Sequence, residues 1–257
     1  MSRFTKILAT AALVPALTVM ATASYAAFSA SQQKEIQGMI DSYLQKNPKV
    51  IISALQSYQQ QQMQDAEQTI KKTQKEASQY VKDLFHNAND PVAGNPKGSV
   101  TVVEFFDYQC THCVSMTPVI VDLIKSDPNV RVVFKEFPIR GSLSDFASRA
   151  ALAAKAQGKY LPFHEELMKT KQPYTEASIL TAAKTVGLNL EQLKKDMNSS
   201  EVKTQIEGTI KLAQELKLLG TPAFFIGKTD ATTSSNINYA PGQLSLKQLQ
   251  EIIKKAS

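Results

Sequence analysis

The chain has 257 residues, 43% of them hydrophobic, and a formal net charge of +6 at pH 7. A chain of this length can bury one sizeable core together with a smaller appended element. Its positive charge is spread along the sequence, without the clustered basic and aromatic residues of a nucleic-acid surface, so we expect no nucleic-acid partner.

The N-terminal segment, residues 1–26, has the pattern of a secretory signal peptide. Two basic residues precede an apolar stretch from Ile7 to Ala23, and Ser24 and Ala26 place small side chains where a signal peptidase cleaves. Pro15 and the modest length of the stretch favour cleavage over a retained membrane anchor, which is the alternative. We therefore predict a periplasmic protein, in a compartment where cysteines can be oxidised.

Residues 27–90 are predicted to form a helical stalk, rich in Gln, Lys and Glu. Asn47-Pro48 should divide it into two helices, because the residue before a proline disfavours helical geometry. Apolar residues recur at helical spacing along both helices, and in the second helix they recur every seven residues. The members of this apolar stripe include Ile36, Ile40, Tyr43, Leu44, Val50, Ile51, Ile52, Leu55, Met63, Ile70, Ala77 and Leu84.

The apolar stripe cannot be buried by a single helix. One hypothesis is that residues 27–90 associate copies of the chain into a homodimer or homotrimer. The alternative is that the helices fold back on the C-terminal domain of the same chain. The heptads are few and contain Thr and Ala at core positions, so both hypotheses stay open, with self-association favoured.

Residues 91–257 have the pattern of an α/β domain. Asn87 to Gly98, which contains several Pro and Gly residues, is predicted to be the linker into it. A nearly continuous apolar run, Val100 to Phe106, indicates a central buried strand, and a helix kinked at Pro118 follows it. The remaining predicted elements are a strand over 130–137, helices over 146–158, 160–170, 175–186, 190–197 and 202–219, strands over 221–226 and around Tyr239, and a helix over 244–255.

The only two cysteines of the chain, Cys110 and Cys113, enclose Thr111 and His112 between the predicted strand and helix. Unsatisfied N–H groups and the positive end of the dipole stabilise a thiolate at a helix start, and a protonated His112 adds positive charge. In such motifs the thiol pKa falls from about 8.5 to roughly 3.5–7.5. Cys110, nearer to the helix start, is the predicted nucleophile, and Cys113 is the predicted resolving cysteine.

Three other uses of a cysteine pair fit this sequence less well. A structural disulfide over so short a loop would constrain the unfolded chain little. A zinc site needs four ligands, and His86 and His164 do not form a second paired motif. Covalent haem attachment needs a histidine directly after the second cysteine, where Val114 stands. We therefore predict redox chemistry at the dithiol without a metal or another cofactor.

The segments Val103 to Cys113 (VEFFDYQCTHC) and Gly220 to Phe224 (GTPAF) together resemble the thioredoxin superfamily, and within it the DsbA family of secreted thiol:disulfide oxidoreductases. The resemblance extends over about 91–257 and implies an α/β, thioredoxin-like fold with a helical insertion. It further implies that Pro222 is cis and faces the cysteines, and that Thr221 offers backbone groups to an extended substrate peptide. Residues 27–90 resemble the helical extension of the ScsC-like, oligomeric members.

Glu104 interrupts the strand that is predicted to be buried. An unpaired carboxylate there would be unfavourable or would stay protonated. The resemblance implies that such a buried acid, behind the dithiol, takes the proton from Cys113. An ion pair with Lys135 on the neighbouring strand is the alternative, and the two do not exclude each other. For His164 we expect packing beside Phe163 without a catalytic role.

The resemblance implies that the protein forms or isomerises disulfides in reduced or unfolded secreted proteins. It also implies a membrane redox partner, of the DsbB type for an oxidase or of the DsbD type for an isomerase. The Thr111-His112 dipeptide favours an oxidising potential, whereas an oligomeric stalk favours isomerisation. The alternative from a different class is a periplasmic Cu(I)-binding protein for metal tolerance, with Cys110 and Cys113 as soft ligands.

Overall fold

The computed structural model describes residues 28–170 and 174–256. The predicted signal peptide, residues 1–26, lies outside the described residues. The chain forms two compact units, Met1–Gln60 and Gln61–Ser257. Among the described residues no helix is both long and apolar enough to cross a membrane.

The described part of the first unit is helical. Ser29 caps helix α1 (Ala30–Lys46): its hydroxyl accepts from the Gln32 N–H, and its own N–H donates to Gln32 Oε1 at 2.9 Å. Asn47 ends α1 and helix α2 (Pro48–Ala77) follows, so the predicted break is confirmed. No residue of α1 is buried. The large apolar side chains exposed in this unit are Phe28, Met39, Ile40, Tyr43, Val50, Ile51, Ile52, Leu55 and Tyr58.

The described part of the second unit contains a sheet of five strands. They are β1 (Val92–Gly94), β2 (Val100–Phe106), β3 (Val130–Glu136), β4 (Ala223–Lys228) and β5 (Asn238–Pro241). Their order is β1-β3-β2-β4-β5; β2 and β3 run parallel, and the other neighbours are antiparallel. Every residue of β2 is buried, as its continuous apolar sequence predicted, because this central strand is covered on both faces.

Helix α4 (Thr111–Ser126) begins directly after Cys110, and the register of the sheet determines which side chains lie beneath it. Glu104 is paired with Phe134 on β3 and with Phe224 on β4. Phe134 and Phe224 belong to the core that includes the cysteines, whereas Phe105 belongs to the core on the opposite face. Because side chains alternate along a strand, Glu104 therefore lies on the cysteine side of the sheet.

The second unit begins within α2, well before the expected domain start at residue 91. The end of α2 leads through a short 3-10 turn into helix α3 (Val81–Phe85). Ala77, Leu84 and Phe85 are fully buried in the core on the β2 face opposite the cysteines. The end of the predicted stalk is therefore part of the C-terminal core, because these apolar side chains cover a sheet face that would otherwise meet solvent.

The predicted linker, Asn87 to Gly98, contains strand β1, which pairs with β3. Just before β1, the buried carboxylate of Asp90 forms an ion pair with the buried ammonium of Lys135. The Pro and Gly residues of the segment predicted a loop, and a strand of three residues is too short to show an alternating pattern.

A helical insertion separates β3 from β4, as predicted, and a last helix follows β5. Helix α5 begins at Ser142 and not at the predicted Phe146, because Gly141, with a φ of 96°, ends the preceding loop and precedes the first turn. Other predicted helix ends differ by a few residues, the usual uncertainty for frayed ends. The insertion contains α5 (Ser142–Ala156), α6 (Tyr160–Lys169), α7 (Glu176–Thr185), α8 (Leu190–Asp196) and α9 (Ser200–Glu215), and the helix after β5 is α10 (Leu246–Ala256).

Candidate active site

Cys110 lies at the N-cap of α4, and Cys113 lies in the first turn of that helix. Both are free thiols and both are buried. The Thr221–Pro222 peptide bond is cis, as the resemblance implied, and the Cys110 thiol donates a hydrogen bond to the Thr221 carbonyl at 3.3 Å. The two predicted motifs therefore meet in space.

The surroundings separate the acidities of the two thiols. Burial alone raises the pKa of Cys110, but the Thr221 hydroxyl and the backbone N–H groups of Cys113 and His112 can donate to the ionised sulfur; this effect outweighs burial, and the pKa falls below the ordinary cysteine value. The pKa of Cys113 is raised strongly, by burial first and by the Glu104 charge second. Of the two thiols, Cys110 is therefore the one that ionises first as the pH rises.

The Thr221 hydroxyl is a second contribution from the cis-proline loop. Its oxygen is buried and makes no hydrogen bond to the neutral thiols or to any other described group. A hydroxyl held in this way can donate to the sulfur once it is ionised, and its presence lowers the pKa of Cys110 and of Cys113. The sequence had predicted a role only for the backbone groups of Thr221 and not for this side chain.

Glu104 lies beneath the dithiol and is almost fully buried. Burial, and secondarily the charge of Cys110, raises the pKa of its carboxyl to about 8, so it is mostly protonated at pH 7. The predicted alternative, an ion pair with Lys135, is wrong: the partner of Lys135 is Asp90. The reason is register, because Lys135 is paired with Phe105 and so lies on the opposite face of the sheet.

His112 and Thr111 occupy the first turn of α4, and both are exposed. The His112 Nδ1 is 2.8 Å from Oε1 of Gln243, a residue of the loop between β5 and α10. This hydrogen bond orients the imidazole with Nδ1 as donor. Gln243 was missed by the sequence analysis, because nothing in its local sequence marks it as a neighbour of the cysteines.

A buried polar cluster lies next to the site on the same face of the sheet. Glu136 Oε1 accepts hydrogen bonds from the hydroxyls of Tyr108, at 3.0 Å, and Tyr160, at 2.7 Å. Burial raises the pKa of Glu136 to about 8. His164, predicted to pack without a role, is 3.2 Å from the Tyr108 hydroxyl, and burial lowers its pKa to about 3. Its ring also packs on that of Phe106.

Comparison with known proteins places this site in a family. A model described as DSBA-like thioredoxin domain matches residues 101–254, and one described as copper resistance protein ScsC N-terminal domain matches residues 32–64. A solved thioredoxin-like oxidoreductase from Silicibacter pomeroyi is 45% identical with a TM-score of 0.63, covering 68% of this chain and 96% of that one. The solved catalytic domain of Proteus mirabilis ScsC is 27% identical with a TM-score of 0.61, covering 72% of this chain and 97% of that one.

Curated relatives match more than half of the chain. The thiol:disulfide interchange protein DsbA of Bordetella pertussis is 28% identical over 59% of this chain and 72% of its own length. A Na(+)/H(+) antiporter NhaA of Salinispora tropica is 27% identical over 53% of this chain, but the match spans only 21% of the antiporter. The matched family model covers more than half of the chain and includes both cysteines and the cis-proline loop. The chain therefore belongs to the DSBA-like thioredoxin domain family of thiol:disulfide oxidoreductases.

Proposed function

We propose that the protein is a periplasmic thiol:disulfide oxidoreductase that forms or isomerises disulfides in reduced or unfolded client proteins. The observation that carries the proposal is the difference between the two thiols of one Cys-X-X-Cys motif. The pKa of Cys110 is lowered at the helix N-cap, and that of Cys113, beside the buried Glu104, is raised. A dithiol of this kind has one nucleophile and one resolving group.

The oxidation of a client proceeds in two exchanges. A client thiolate attacks the Cys110 sulfur of the oxidised pair; the Cys110–Cys113 bond breaks, and its electron pair leaves on the Cys113 sulfur. Because the pKa of Cys113 is high, this sulfur takes up a proton, and the protonated carboxyl of Glu104 is the nearby buried acid. A second client thiolate then attacks the client sulfur of the mixed disulfide and releases Cys110 as a thiolate. The client loses two electrons and the dithiol gains them.

The cis-proline loop is the proposed binding surface for the client. The Thr221 carbonyl already accepts from the Cys110 thiol, so an extended peptide placed here would pair with backbone groups directly beside the nucleophile. Pairing through main-chain groups demands little of the client sequence, which suits a catalyst that serves many proteins. His112, oriented by Gln243, lies at the exposed edge of the same site.

We also propose that residues 27–90, apart from the buried end of α2 and helix α3, assemble the protein into a homodimer or homotrimer. The support is the row of exposed apolar side chains on α1 and on the first part of α2, which overlaps the region that matches the ScsC N-terminal domain. Apolar side chains at helical spacing are stabilised when a second helix covers them. An oligomer would present two or three dithiols to one client, which favours isomerisation with a DsbD-type reductant. A monomeric oxidase would rely on a DsbB-type oxidant.

The second candidate function is Cu(I) binding by the same two cysteines. The specific observation in its favour is that the matching N-terminal model is described as that of a copper resistance protein. Thiolates are the soft ligands that Cu(I) prefers. The raised pKa of Cys113 opposes it, because a metal ligand must be deprotonated.

A trapping experiment separates these functions. In Cys113→Ser, a mixed disulfide at Cys110 cannot be resolved, so an exchange enzyme expressed in the periplasm should accumulate covalent adducts with many proteins. Cys110→Ser is the matched control and should form few. A Cu(I) carrier would lose affinity in both variants and accumulate adducts in neither, which would overturn the proposed function. The reduction potential of the pair, measured beside the repair of scrambled client disulfides, then distinguishes oxidase from isomerase.

A further inference from the structure

Asp107 is a fully buried carboxylate in the turn between β2 and the nucleophile. Its Oδ1 accepts from the backbone N–H of Gln109 and from the hydroxyl of Ser144, both at 2.7 Å. Its Oδ2 accepts from the backbone N–H of Arg140 at 3.0 Å. All three partners are donors, and donors to a buried carboxylate form strong, charge-assisted hydrogen bonds.

These bonds connect the catalytic turn to the start of the helical insertion. Arg140 and Ser144 flank the beginning of α5, whereas Gln109 directly precedes Cys110. The Gln109 side chain adds two further bonds to the same region, from Nε2 to the Ser144 hydroxyl at 2.8 Å and to the Arg140 carbonyl at 3.1 Å. The main chain contributes as well, because the N–H of Cys110 donates to the Asp107 carbonyl at 3.1 Å.

We propose that Asp107, together with Ser144, is a positioning residue for the nucleophile: it holds residues 109 and 110 so that the Cys110 sulfur lies at the N-cap of α4. The inference rests on the proposed dithiol exchange and deepens it. A thiolate at an N-cap is stabilised only while its sulfur stays within reach of the first N–H groups of the helix. Asp107 does not touch the sulfur and acts through the turn.

The two redox states depend differently on this support. In the oxidised form, the covalent bond to Cys113 holds Cys110 over the first turn of the helix. In the reduced form that covalent bond is absent, and Cys110 is held by the turn and by the weaker hydrogen bond from its thiol to the Thr221 carbonyl. Loss of the Asp107 hydrogen bonds should therefore destabilise the reduced, thiolate-bearing form more than the oxidised form. A weaker thiolate has a higher pKa, and a less stable reduced form makes the disulfide a weaker oxidant.

The test compares Asp107→Asn and Ser144→Ala with wild type, and uses Asp145→Asn as the matched control. Asp145 is the next residue of α5, is partly exposed and pairs with Arg149 at 2.8 Å, away from the turn. An Asn side chain keeps the shape of Asp107 but turns an NH2 group toward donors. Three quantities are measured: the pKa of Cys110 from alkylation rate against pH, the reduction potential, and the thermal stability of both redox forms.

We expect the Cys110 alkylation rate of Asp107→Asn, at a pH below the thiol pKa, to fall about threefold to tenfold, the effect of one or two weakened hydrogen bonds. Its reduction potential should become more reducing. Ser144→Ala retains the Asp107 charge, and it should shift the alkylation rate and the reduction potential in the same direction by a smaller amount. If Asp107→Asn does not fold, the result for Ser144→Ala is used alone to test the proposal. Asp145→Asn should match wild type.

Two outcomes would overturn the inference. If both variants lose stability equally in the two redox forms, with thiol pKa and potential unchanged, Asp107 supports the fold only. If the Cys110 pKa falls, the charge of Asp107 and not its hydrogen bonds acts on the sulfur. An ordinary thiol pKa in wild type would instead refute the proposed function itself, so the two failures are distinguishable.

Discussion

The Thr221 hydroxyl provides the sharpest test of how the site stabilises its thiolate. Thr221→Val keeps the branched shape of the side chain and removes the buried donor that has no other described partner. Hydrogen bonds to charged groups contribute about 1.5–3 kcal/mol, which corresponds to about one to two pKa units. Because the N–H groups of Cys113 and His112 remain, we expect the smaller effect, a rise of about one unit in the pKa of Cys110.

The rise can be measured on the reduced protein from the ultraviolet absorbance of the thiolate, followed against pH. Of the two thiols only Cys110 titrates in the accessible range, because the pKa of Cys113 is raised far above it. A shift of one unit weakens the reduced form by about 1.4 kcal/mol, so the reduction potential should become more negative by about 30 mV for this two-electron couple. Thr221→Ser retains the hydroxyl and is the matched control.

The comparison of the two variants decides the outcome. If the pKa of Cys110 is that of wild type in Thr221→Ser and is higher in Thr221→Val, the effect comes from the hydroxyl. An unchanged pKa in Thr221→Val would refute the reasoning, since the oxygen would then contribute nothing to the thiolate. A rise in both variants would refute it as well, because the effect would come from the packing of the loop and not from a hydrogen bond.

Three further predictions follow from buried charges and exposed apolar surface. Folding raises the pKa of Glu104 from 4.5 to about 8. Between these two values the folded state keeps a proton that the unfolded state loses. The free energy of unfolding therefore falls as the pH rises through this range, by up to about 1.4 kcal/mol per pH unit. Glu104→Gln should therefore unfold at a higher denaturant concentration than wild type at pH 8, and this difference in stability should vanish near pH 4. Deprotonation of the Cys113 thiol should be slower in the variant. Equal stability of the two proteins at pH 8 would contradict the assignment of Glu104 as a buried acid. Asp90→Asn leaves the buried Lys135 charge unpaired, and the free energy of unfolding measured with denaturant should fall by about 3–5 kcal/mol. A fall of less than about 1 kcal/mol, which is typical of exposed ion pairs, would mean that the pair is hydrated. Ile40→Asp on α1 should reduce the mass seen by light scattering to that of a monomer, whereas Gln37→Asp, an exposed polar neighbour, should leave it unchanged; a monomeric wild type would refute self-association.

Several features could be predicted from the sequence because they depend on neighbours along the chain. The continuous apolar run of β2 predicted a central buried strand, and Asn47-Pro48 predicted the break between α1 and α2. The placement of Cys110 and Cys113 at a helix start followed from the change of pattern after Phe106. In each case a local rule about periodicity or backbone geometry was sufficient.

The pairings of buried polar groups could not be predicted in this way. An ion pair between Lys135 and Glu104 was one of the two interpretations of Glu104, because the two residues lie on neighbouring strands. The register places them on opposite faces of the sheet, and Lys135 pairs with Asp90. Glu136 carried no local signal that two tyrosine hydroxyls would meet it. The three-residue β1 was also missed, since so short a segment shows no pattern of its own. The burial of α3 agrees with the alternative that the stalk helices fold back on the C-terminal domain, but the apolar stripe alone could not show which part of it does so.

The thiol pair at a helix start and the Gly-Thr-Pro loop are local patterns, so the dithiol chemistry of this protein could be predicted from neighbouring residues alone. The groups that surround the two thiols could not, because they are brought together by the tertiary fold. The Thr221 hydroxyl, the Gln243 amide and the Ser144 hydroxyl reach the cysteine turn from segments distant along the chain. The energy of a buried charge depends on such neighbours, and their identity is set by strand register and by how the insertion packs.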